Sequence, residues 1–137
     1  MMLTRLKYYF KKYAKDMLYI FSCNTNFLSD AIKSNNRDIL FVEYGKVRQE
    51  NRTETTIELA ITIGTPWTET INTERDEAIT MEHLMKSLQT IVSNINCQNC
   101  GCGFEILGVP ELQPVQPTAF FGYLGAVSFI KVRMEEE

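Results

Sequence analysis

ETTIELAITIGTPW, residues 54–67, is the stretch whose reading decides the fold. Ile57, Leu59, Ile61 and Ile63 alternate there with Thr56, Glu58, Ala60 and Thr62. Strict period-2 alternation in β-favouring residues makes a strand with one apolar side and one largely polar side. Gly64, Thr65 and Pro66 end it, because proline has no amide to donate to a ladder and glycine permits a sharp change of direction. A strand with one apolar side needs a covering layer, and the flanking sequence supplies helices for that purpose.

Immediately upstream, Asp38–Arg48 reads as a partner strand, with Leu40, Val42 and Tyr44 on one face and Ile39 and Phe41 on the other until Glu43. The short polar link 49–53 predicts an antiparallel hairpin over residues 38–64. Its tip carries Arg48, Glu50, Arg52 and Glu54. Four charges are costly to bury, so they form a finger in solvent and are candidate partner contacts. Downstream, Met81, Leu84, Met85, Leu88, Ile91, Val92 and Ile95 follow helical spacing, which predicts a central helix over 73–96. Thr73 is its expected cap, with acidic residues in the first turn complementing the helix dipole. Leu84, Leu88 and Ile91 are expected to pack on Leu59 and Ile61.

Residues 3–33 read as a helical segment. Leu3, Leu6, Phe10, Tyr13, Ala14, Met17 and Phe21 place one helix over 3–21. A break at Cys23–Asn26 and a second short helix, Phe27–Lys33, follow. After the central helix come a short strand Phe104–Val109, a loop punctuated by Pro110, Pro114 and Pro117, and a closing strand, about Phe120–Met134. The expectation is a single α+β domain, residues 1–137, in the order α(α)-β-β-α-β-β. It has an antiparallel sheet of about four strands, helices packed on one face, and C-terminal strands within 104–134.

The closing strand is apolar on both faces, Val127 and Phe129 opposing Ala126, Ile130 and Val132. Ile39 and Phe41 give the first strand the same character. Ile39, Phe41, Val127 and Phe129 are therefore candidate residues of an oligomer interface, unless residues 3–33 fold across that face within one chain. Charge points the same way. The net charge of −3 divides into +4 over residues 1–33 and −7 over the remainder, unlike surfaces that suit a head-to-tail, ring-closing contact. The basic helix, with Tyr8, Tyr9 and Tyr19, also has the composition of a nucleic-acid-binding element, but the acidic total favours a solvated face whose tyrosines pack at its edges. No apolar run nears the ~20 residues that span a bilayer, and no secretory signal is read, so the four cysteines are expected in a reducing cytoplasm.

Cys97, Cys100 and Cys102 have the spacing of half a zinc site. No fourth ligand lies nearby: Cys23 would have to come from afar, and His83 is separated from them by most of the central helix. The thiols also follow a helix where a redox motif opens one. No metal or cofactor is expected. The glycines form neither a GxxxxGK[ST] nor a GxGxxG loop, and no nucleophile pairs with His83. An enzyme is not expected.

ILFVEYG, IELAITI and the closing GYLGAVSFIKV, set around a central helix and preceded by a basic N-terminal helix, resemble small bacteriophage tail-terminator proteins over residues 3–134. The resemblance lies in layout and hydrophobic rhythm, and carries no motif and no residue roles. It implies an α+β sandwich closing into a hexameric ring that caps the tail tube and meets the head-side connector. The partners are then further copies, the tail tube protein and the connector protein, in a virion neck assembled in the host cytoplasm. Neither membrane nor direct nucleic-acid contact is implied. The cysteine cluster is foreign to that family. Alternatives from other classes are a nucleic-acid-binding module and a small zinc-binding regulatory protein.

Overall fold

The structure, a computed structural model, describes residues 2–32, 37–68, 70–96, 103–117 and 122–135. It is α+β, with a five-stranded mixed sheet and, among the described residues, three α-helices. In chain order the elements are α1 (Met2–Ala14), β1 (Leu18–Ser22), α2 (Thr25–Ile32), β2 (Ile39–Gln49), β3 (Glu54–Pro66), α3 (Glu74–Ser93), β4 (Phe104–Val115) and β5 (Tyr123–Glu135). The strands lie side by side as β1-β2-β3-β5-β4.

The stretch 54–66 forms the middle strand. β3 pairs antiparallel with β2 on one side and β5 on the other. Its Ile57, Leu59, Ile61 and Ile63 are all buried against α1 and α3, in register with Leu40 and Val42 of β2 and with Ala126, Ile130 and Val132 of β5. Leu84, Leu88, Ile91 and Val92 form the buried stripe of α3 and belong to the same core. Thr73 caps that helix, its hydroxyl accepting the Asp76 amide at 3.1 Å, which satisfies one of the amides a helix start leaves free.

Three expectations are corrected. The first helix ends at Ala14, and Leu18–Ser22 forms a strand. Lys15 adopts the left-handed region (φ 44°) and the Met17 amide bonds back to the Ala14 carbonyl at 2.6 Å, so the helix is closed by a tight turn. Phe21 keeps the helical spacing from Ala14 and Met17, but Tyr19, Ile20 and Phe21 are β-favouring and residues 18–22 gain a ladder with Ile39–Glu43. Second, that ladder is parallel, so the sheet is mixed, with α2 as the crossover. The order is α-β-α-β-β-α-β-β. Third, the helices do not share one face. α2 lies across the other side of β1 and β2, where its Leu28 packs with Ile39, Phe41 and Tyr123.

β4 is also longer than expected and takes in Pro110 and Pro114. Among the described residues it pairs only with β5 and is a sheet edge, where proline is tolerated. Gly108, Val109 and Pro110 bulge out opposite Ile130, with Gly108 at φ 83°, a conformation glycine adopts without steric cost.

Candidate functional site

Among the described residues, α1 and α3 cover one face of the sheet along its length, whereas α2 covers only one end of the other. The uncovered part is a broad depression of about 840 Å³. Alternation along the strands decides which side chains reach it. From β3 come Glu58 and Ala60, from β2 Glu43, from β5 Phe129 and Lys131, and from β4 Leu107. The bulge in β4 sets Val109 and Pro110 at its rim, and Cys23, just beyond β1, marks the opposite side. Phe129 is 58 % exposed and Val109 88 %.

The lining of this depression mixes apolar and charged side chains. Phe129 and Val109 supply apolar area, and Glu58 faces Lys131 across the β3–β5 ladder. Among the described residues neither Glu43 nor Glu58 has an ion-pair partner. At the edge, Tyr44 packs on Phe21 with ring centroids 5.1 Å apart. Its hydroxyl is held above its ordinary pKa, first by the hydrogen bond with the Cys23 side chain and then by the charge that thiol can carry. The depression opens widely to solvent, unlike the enclosed pockets that bury small ligands.

Of the four residues singled out for an oligomer interface, only Phe129 is well exposed. Val127 is buried on the same face, and Ile39 and Phe41 are covered by α2 of their own chain. Val109, Leu107, Glu43 and Glu58 are contributors that sequence reading did not single out. Glu43 and Glu58 carried a signal, being the charges that interrupt the outer faces of two apolar strands.

The hairpin tip lies at the far end of the sheet. The Asn51 side-chain oxygen accepts the amides of Thr53 and Glu54, both at 2.9 Å, which fixes the turn. Arg48, Glu50 and Arg52 are exposed, Glu54 is half-buried, and Arg48 lies 3.5 Å from Glu50. Beside the tip, Arg133 is bonded to Glu105. Its pKa is raised, first by that hydrogen bond and then by the charges of Glu105, Glu54 and Glu135. A bulge at the base of the hairpin, Gly45 and Lys46 opposite Glu58, bends it beside the depression.

The aromatic residues of α1 mostly face inward. Tyr9 and Phe10 are buried, with the Tyr9 ring edge-on to Phe104 at 5.9 Å. Lys12 sits over the rings of Tyr9, at 4.4 Å, and Tyr13, at 5.3 Å. Tyr19 donates to the Lys7 carbonyl at 2.6 Å, and burial raises its pKa well above the ordinary value. Tyr8 alone of these is freely exposed, at 79 %.

Cys97, Cys100 and Cys102 lie outside the described residues, and His83 is exposed on α3. Among the described residues no group of three or more potential metal ligands occurs, and no helix is long and apolar enough to cross a membrane. No protein-family model matches the chain, and no curated protein matches it.

Proposed function

We propose that this chain is a structural assembly protein of the tail-terminator type. Its copies form a ring that caps a phage tail tube and meets the head-side connector. The observation that carries this reading is the half-covered sheet. Phe129 and Val109 stand in solvent on a face where a single domain of this size leaves a covering layer unbuilt. A second copy is the simplest supplier of that layer, and a contact closing a ring repeats one unlike pair of surfaces. The charged hairpin tip, outside both the core and the depression, is the element offered to the tube.

Light scattering coupled to gel filtration, at several concentrations and with tail tubes present, tests the reading. The expected result is a discrete ring mass, free or on the tube. A monomer under every condition overturns it. The double variant Arg48→Glu/Arg52→Glu is expected to melt at the wild-type temperature while binding tubes more weakly. Unchanged tube binding removes the tip from the contact.

A further inference from the structure

The open face of the sheet and the outer face of α1 are opposites in charge. We infer that the open face receives α1 of a second copy, an inference that rests on the ring reading above and names its contact.

α1 contains no acidic residue. Its buried stripe is Met2, Leu6, Tyr9, Phe10 and Ala14. Helical spacing therefore gathers Thr4, Lys7, Tyr8 and Lys11 on the opposite side, and all four are exposed. Among the described residues, Lys7 and Lys11 have no ion pair. The outer face is a cationic ridge with one protruding ring.

The depression has the opposite make-up. Its lining holds Glu43 and Glu58 with one cation, Lys131, while at its margin Glu111 pairs in register with Phe129 and Lys46 stands in the bulge opposite Glu58. The apolar patch of Phe129, Val109 and Leu107 matches the exposed Tyr8 ring. A helix laid on a sheet face is the way this sheet is already covered on its other side. Because α1 and the depression lie on opposite faces of the sheet, one molecule cannot satisfy itself. The contact is heterologous, so each copy offers a ridge to one neighbour and a trough to the next.

The test is a charge-swap pair. Lys7→Glu/Lys11→Glu makes the ridge acidic, and Glu43→Lys/Glu111→Lys makes the trough basic. Each variant alone is expected to self-associate at least about tenfold more weakly than wild type, since like charges then face each other. Mixed in equal amounts, the two are expected to regain wild-type association, because each ridge meets the other variant's trough. Circular dichroism verifies that both remain folded. Association of wild type that neither swap weakens, or a mixture without rescue, overturns the α1 contact and leaves the ring standing. Wild type that stays monomeric in solution and on tubes overturns both.

Discussion

The two faces of this sheet are woven from alternate residues of the same strands, yet they do different work. On the face under α1 and α3, β3 contributes Ile57, Leu59, Ile61 and Ile63, and none exceeds 2 % exposure. On the other face the same strand offers Glu58 and Ala60 to an open trough. Folding stability is concentrated on the first face. On the ring reading proposed above, the second keeps apolar area for association and charge to choose the partner. A chain read only for its core would miss the second face altogether.

The largest effect that tests this contrast belongs to the closed face. Leu88 is fully buried on α3, and Leu88→Ala is expected to cost about 2–5 kcal/mol in chemical denaturation. A loss under about 1 kcal/mol would mean that α3 does not hold the core. Next, Thr73→Ala removes the cap of that helix and is expected to cost about 1 kcal/mol, read as a lower denaturation midpoint with unchanged slope.

Ser128 sharpens the contrast with an opposite sign. It faces the closed side opposite Ile61, is fully buried, and its hydroxyl has no hydrogen-bond partner among the described residues. An unmet buried hydroxyl is destabilising, so Ser128→Ala is expected to raise stability by about 1 kcal/mol. A loss of similar size would show that the hydroxyl is bonded. The smallest change belongs to the open face. Phe129→Ser is expected to alter unfolding of the monomer by less than about 0.5 kcal/mol while lowering the apparent oligomer mass. Clear destabilisation of the monomer would make Phe129 part of its core, and the two faces would then be alike.

Much of the closed face was legible in the sequence. Period-2 alternation placed β3, runs apolar on both faces placed β2 and β5, and the spacing of Leu84, Leu88 and Ile91 placed α3 against them. β1 was not legible because Phe21 sits at helical intervals from Phe10, Ala14 and Met17. Only pairing with Ile39–Glu43, a contact between distant residues, makes 18–22 a strand. Losing β1 also hid the parallel pair and the role of α2, so Ile39 and Phe41 looked uncovered. On β4, Pro110 and Pro114 read as loop because proline disfavours a central strand, whereas an edge accepts it. The trough depends on these unread features. Its rim at Val109 exists because β4 continues past its bulge, and its extent is set by where α2 stops. Phe129 and Glu58 could be picked from the pattern, but not their neighbourhood.

The prolines of β4 have one more consequence. A sheet edge is a template on which a stray strand can grow, and repeated growth yields fibres. Pro110 and Pro114 remove two amides from that edge, and the bulge at Gly108 interrupts its line. A strand laid alongside finds gaps where donors should be. Substituting both prolines with threonine would restore those two amides, and with them a tendency to gel on concentration that the natural edge suppresses.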